Sequence, residues 1–479
     1  MPGARRGEGK EIRQVSRRGY RPKAIPERFE EEAEPERVPP GKGPSSDQQS
    51  DPTGASSTEA PEGPGREPVR FTSYSPLDTT KLVNVKTPVD PSGAASPSGV
   101  VAMVGNVYLA VSKDDGSTWK YLDPTAMFPK FAGGLVGDQQ LIYEPELDVF
   151  IWVMLHNPLS STKDGAFRLA WASAVDVGSK PKSAWRFVDF VSSDIDAPGE
   201  FLDQPHLSYS NRHVLIAVDA SSGRIIIRIR LSDLGSGSIG WEYTPALTGI
   251  SYQFSAPSAE RPPGAFLAGH VDTSTLRVVE WRDGDPDYHE HDVTVQKYSD
   301  SGDFACTTPS GVDWSGRCGA RISGATWQDE RLWLSWAAPR SSPGEKPDYP
   351  QPYTRVVRID TGTWKTDTEM QVWNPKYGFA YSALSLNSNG EVGIAVAWGG
   401  PSDEADAAFG ILGDFVVWYQ DGSTATTTGD SPPAGRWGDY LRTHRSQVTP
   451  AHYDGFGYFT NTVAGGGIVQ NPYHVRYGR

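Results

Sequence analysis

Cysteine is nearly absent from this chain: Cys306 and Cys318 are the only two in 479 residues. With no CxxC pair and no histidine cluster, a structural zinc site is unsupported. The two thiols are close enough in sequence for one loop-closing disulfide; two free thiols are the other open reading. A disulfide would imply an oxidising compartment. No apolar run approaches the roughly 18 residues that a membrane-spanning helix requires. No long segment repeats apolar residues at helical spacing between good caps, which excludes a helical architecture. G-x-S-x-G is missing, and so is a glycine loop ending in Lys-Ser/Thr, so an α/β-hydrolase serine and a nucleotide phosphate cradle are unsupported. Residues 1–20 are charged and lack an apolar centre, so no secretory signal peptide is visible. An extracellular location would rest on fold analogy alone.

Breakers and aromatics are plentiful. Gly 51 and Pro 39 together suit many strands joined by turns, and Trp 15 with Tyr 20 against Met 5 points the same way. The net charge is −14. Residues 1–28 hold nine basic and three acidic side chains, so the remainder carries 36 minus 56, or −20. An acidic body repels phosphate backbones, which argues against a nucleic-acid partner.

Residues 1–69 form one compositional block, basic, then acidic, then rich in Pro, Gly and Ser. Almost no aliphatic residue occurs between Val38 and Val69. Such a segment cannot offset its ordering entropy by burial, so it reads as a disordered arm. It is also a candidate tag for docking the chain to a larger assembly. Residues 70–479 have an even texture of short apolar runs bounded by Gly, Asp, Asn, Ser or Pro. R-I-I-I-R-I-R at 224–230 and R-L-W-L-S-W at 331–336 alternate as half-buried strands do. The body therefore reads as all-β with two or three single-turn helices. Paired-strand segments starting near Gly134, Asp203, Gly264, Arg321 and Tyr381 recur about every 60 residues, with weaker copies near Val100 and Asp439. That period suggests a β-propeller of six or seven blades, seven being preferred. Its closure is expected to pair residues 81–86 with 473–479. Two β-sandwiches are the runner-up.

Ser112, Lys113, Asp114, Asp115, Gly116, Ser117, Thr118 and Trp119 spell S-x-D-x-G-x-T-W, which resembles the Asp-box of sialidases and related propellers. The resemblance gives Ser112, Asp114, Gly116, Thr118 and Trp119 a structural role, holding the turn between the third and fourth strands of a blade. Asp164-Gly165 and residues 421–424 are degenerate copies at best. G-F-A-Y-S-A-L at 378–384 is similar to the sialidase segment that carries a nucleophilic tyrosine, which would be Tyr381. A phenol needs a carboxylate to take its proton, and Glu144 is the candidate partner. Asp203 would be the acid/base, and Arg321 and Arg436 would bind a substrate carboxylate, for which the guanidinium fork is suited. The family's early Arg-Ile-Pro signature is missing: no arginine lies between Arg70 and Arg168. Arg436 and Asp439 have the alternative of pairing across their own turn.

Two functions follow. The first is a module that binds a glycan or a protein on the propeller face. The second is an exo-acting glycoside hydrolase of sialidase type, with Tyr381 as nucleophile. No cofactor is implied. A metal at His289 and His291, or calcium on the Asp283, Asp285 and Asp287 turn, is conceivable without an EF-hand pattern. Oligomeric state is open.

Overall fold

In a computed structural model, the chain is a ring of seven antiparallel sheets. The structure describes residues 3–15, 55–56, 69–82, 84–249, 261–299, 302–342, 344, 347–414, 416–418, 437–462 and 468–479. The inner strands of blades 1 to 6 are Ser92–Ala95, Leu135–Glu144, Asp203–Tyr209, Gly264–Asp272, Ile322–Gln328 and Gly378–Leu386. Blade 7 begins with Arg442–Arg445 and runs through His452–Thr462 and Ile468–Gly478. Its fourth strand, Arg70–Pro76, comes from the other end of the body. Seven is thus the count, and the paired-sandwich alternative falls.

The ring closes where expected at the C-terminal side but through a different partner. Residues 70–76 pair with the last strand, whereas Thr79–Lys81 is a 3-10 turn. Phe71 and Tyr74 set the register by packing on Tyr477 and Tyr473, at 6.0 and 5.4 Å between ring centroids. Among the described residues, helix is confined to Ala174–Ser179, capped by Ser173, and to short 3-10 turns.

Strand sequences that alternate on paper are covered on both faces, because each blade lies between two others. In Gly223–Arg230, Ile225, Ile227 and Ile229 pack toward blade 2. Ile226 packs toward blade 4. Each buried isoleucine contributes roughly 1.5–3 kcal/mol. The interleaved Arg224 and Arg228 are therefore buried too, and each has a partner, while Arg230 at the end of the strand is exposed. Arg224 pairs with Asp219 at 2.9 Å, and Arg228 pairs with Glu242 at 2.6 Å while stacking on Trp281.

Part of the segment that composition marks as disordered is strand. Arg5–Glu11 adds a fifth strand to blade 3, and Arg13–Gln14 adds one to blade 2. Charge explains the docking, since a basic strand meets the acidic body. Arg5 pairs with Asp196, Arg6 with Glu242, Lys10 with Asp194 and Arg13 with Asp189. Gly7 lies against the Trp241 ring, and Val15 is buried.

Candidate functional site at the axial face

The ends at which the inner strands begin converge on one face around the ring axis. The side chains of Asp90, Asp138, Asp203, Asp439 and Tyr381 are among those that meet there. Asp90 precedes the inner strand of blade 1, Asp138 and Asp203 belong to those of blades 2 and 3, and Asp439 precedes that of blade 7. One oxygen from each of Asp90, Asp138 and Asp439 lies within 4.8 Å of the others. Asn106, at the tip of a blade 1 hairpin, fixes two of them. It donates to the Asp90 carboxylate at 2.9 Å and accepts from the Asp138 amide at 2.7 Å. The Asp439 amide donates to Asp90 at 2.9 Å, and the Tyr440 hydroxyl donates to Asp138 at 3.2 Å. Burial, followed by the charges of Asp203 and Asp90, pushes the Asp138 carboxyl well above the usual range. Carboxyls this close cannot all ionise freely.

Tyr381 is buried at the start of blade 6, with φ of 54°, in the left-handed region that a tyrosine rarely adopts. It shares a small pocket with Gln204, His206, Cys318, Arg321 and Asp439. The enclosed space is about 20 Å³, room for one water molecule. Burial pushes the Tyr381 phenol well up, neighbouring Cys318 and Asp439 push it further, and Arg321 opposes them. Arg442 reaches the same floor, with Nη2 3.3 Å from His206 Nδ1. Burial brings the Arg442 guanidinium down to about 10.

The structure thus brings Tyr381, Arg321 and Asp203 to one face. Glu144 is not with them. It is the last residue of a ten-residue strand that holds Asp138 near its other end, and it pairs with Arg261 while accepting from the amides of Glu146 and Leu147. The carboxylate beside Tyr381 is Asp439 instead. Arg436 lies outside the described residues, and so does any pairing of it with Asp439 across their turn. The disulfide is not formed: Cys306 and Cys318 are both free and buried. Burial raises both thiols, and the Cys306 thiol faces the Gln351 side chain and the Gly399 carbonyl.

Asp90 and Asp138 escape a reading of the sequence for catalytic motifs. A positional signal was present: V-D-P, G-D-Q-Q, L-D-Q-P and G-D-Y each put an aspartate beside the start of an inner strand. The turn 112–119 is held by its own side chains. Asp114 accepts from the Thr118 amide at 2.8 Å and the Thr118 hydroxyl at 2.6 Å, and Gly116 has φ of 86°. It joins the third and fourth strands of blade 1. Trp119 is only partly buried, and its indole donates to Ser75 of blade 7 at 2.9 Å. Asp164 sits between the second and third strands of blade 2, so it is not a second such turn. Residues 421–424 lie outside the described residues.

A larger groove, about 580 Å³, runs along the outer part of blade 3 and is lined by Arg6, Arg228, Arg230, Glu242 and Asp283. Among the described residues, no helix is long and apolar enough to cross a membrane.

No family model matches the chain, and no curated protein matches it. Solved structures do. A protein of unknown function from Dyadobacter fermentans matches at 11% identity and TM-score 0.38, over 86% of this chain and 99% of its own. The α-L-arabinofuranosidase of Fusarium graminearum matches at 13% identity and TM-score 0.37, over 86% and 98%. The Trypanosoma rangeli sialidase matches at 12% identity and TM-score 0.38, over 71% of this chain and 57% of that one.

Proposed function

We propose that this propeller is a binding module whose axial face takes an uncharged glycan. The observation that carries the reading is the sign of the face. Asp90, Asp138 and Asp439 crowd the axis within 4.8 Å, so the carboxylate of a sialic acid would meet repulsion. Carboxylates instead accept hydrogen bonds from sugar hydroxyls, and such charge-assisted bonds are the stronger kind. The pocket beside Tyr381 holds about 20 Å³, so a sugar ring would rest on the face rather than enter it. The test is a binding panel of neutral and sialylated oligosaccharides against the chain and Asp439→Asn. Neutral ligands are expected to bind, with about tenfold loss in the variant. Binding confined to sialylated ligands would defeat the reading.

An exo-acting glycoside hydrolase is the second reading. It is supported by Tyr381 sharing one pocket with Arg321 and Asp439. Asp439 would take the phenol proton, which burial otherwise holds in place. Fluorogenic sialosides and other aryl glycosides, assayed beside Tyr381→Phe, decide this. Turnover lost in the variant supports the hydrolase, and no turnover on any glycoside removes it.

A further inference from the structure

The groove on the outer part of blade 3 lies far from the axial face. In the first hairpin of that blade Asp203 stands opposite Asp219, while His213 opens the returning strand His213–Ala220, six residues earlier. Six residues of strand separate the two ends by roughly 20 Å. The cavity, about 580 Å³, has the size of a small-molecule site. Its carboxylates are already held. Arg6 and Arg228 bind Glu242 at 2.8 and 2.6 Å. Asp285 accepts from the Asp287 amide at 3.0 Å and lies 2.9 Å from His289 Nε2. Arg228 also donates to the Arg282 and Asp285 carbonyls, at 2.9 and 2.8 Å, and has little left to offer. Two cations remain. Arg212 and Arg230 line the same groove and are exposed, and neither guanidinium has an acceptor among the described residues.

A second feature belongs to the same cavity. His213 lines it and is buried, with Nδ1 2.7 Å from Asp283 Oδ1. Asp283 is fixed from its other sides, accepting from the Ser210 hydroxyl at 2.5 Å and from the Arg212 amide at 3.1 Å. A carboxylate so placed keeps the ring proton on Nδ1 and makes Nε2 the lone-pair nitrogen. Nε2 is then the polar atom that the ring can offer a ligand, and no described group pairs with it.

We propose that this groove binds a phosphate group through Arg212, Arg230 and His213. Guanidinium forks match the oxygens of phosphate in pairs. The body as a whole repels anions, and the groove is a local exception because its acidic groups are spent on partners while two guanidinium groups are not. His213 adds selectivity. Its Nε2 lone pair needs a proton between itself and a ligand oxygen. Hydrogen phosphate brings that proton, whereas sulfate brings none and must wait for the imidazole to charge. Sulfate should therefore gain affinity as pH falls from about 8 to about 6. The charged groups around the ring are Arg212 on its own hairpin, Arg228 and Arg230 on the next strand, and Asp283 and Asp285 of blade 4. His289, on Asp285, also titrates in this range, so a His213 variant is included to separate the two. The groove stands apart from the axial face, and neither reading depends on the other.

The test is calorimetry on the full chain at low ionic strength, with inorganic phosphate, sulfate and glucose 6-phosphate as probes. One phosphate per chain is expected, with sulfate about tenfold weaker at about pH 8. The double variant Arg212→Gln, Arg230→Gln should weaken phosphate about tenfold or more. Both side chains are exposed, so its ligand-free melting temperature should match the parent's. His213→Gln should erase the preference for phosphate over sulfate, and should that variant not fold, the arginine variant still decides. Glucose 6-phosphate binding more tightly than inorganic phosphate at about pH 6 would support an ester as the occupant, and the reverse order would support free phosphate. Three results would each overturn the proposal: no heat with phosphate at millimolar concentration, phosphate binding unchanged in the arginine variant, or equal binding of sulfate and phosphate at about pH 8.

Discussion

Asp114 shows how much of this chain is decided within a single turn. Its carboxylate is held below the usual range, first by the Thr118 hydroxyl and then by Ser112. Asp114→Ala removes those acceptors and should cost about 1 kcal/mol, read from urea unfolding. Because Trp119 and Arg476 join this turn to blade 7, the loss should also loosen the ring's seam. Such a motif is legible in sequence because the bonds that Asp114 makes close within the turn itself. The axial aspartates are not, since Asp90 and Asp439 acquire meaning only when the ring places them together. Glu144 failed as a partner for Tyr381 for a countable reason. A strand advances about 3.3 Å per residue, so six residues beyond Asp138 is roughly 20 Å from the face.

Between elements, the blades fit by pressing aromatic rings onto glycines. A Cβ on Gly93 would lie 2.4 Å from Phe456, and one on Gly393 would lie 2.6 Å from Tyr453. Gly93→Ala should therefore destabilise by about 1–3 kcal/mol through overpacking, measured by denaturant midpoint. The strands themselves were readable from period-two patterning, as in R-I-I-I-R-I-R. That Arg224 and Arg228 are buried was not, because only a neighbouring blade covers that face. The strand Arg5–Glu11 was hidden for a related reason: it has no apolar pattern and is held by ion pairs with blade 3 and its flanking turn. Deleting residues 1–15 should lower the melting temperature and, by baring the outer edges of blades 2 and 3, promote self-association. Light scattering of the truncated chain checks this, and a monodisperse truncated protein with unchanged melting would contradict it.

At the scale of the whole molecule, acid should unfold the protein through its buried histidines. Burial holds His156 and His444 neutral down to about pH 3 and His270 to about 4. In the unfolded chain each takes up a proton near pH 6.5. The unfolded state thus binds more protons below that value, so stability falls as pH drops from about 6.5 toward 4. Above pH 7 these groups contribute no slope. Each adds up to about 1.4 kcal/mol per pH unit, measurable as the difference in unfolding free energy between pH 7 and pH 5. His156→Asn should remove about a third of that difference.

Blade 7 is stitched from Arg70–Pro76 and Ile468–Gly478. During synthesis the first of these strands must wait, its edge unmatched, while six blades emerge from the ribosome. Until the last strand arrives the growing protein is an open arc with two sticky flanks, so it is in the nascent chain, rather than in the finished ring, that aggregation and the need for chaperones should be concentrated.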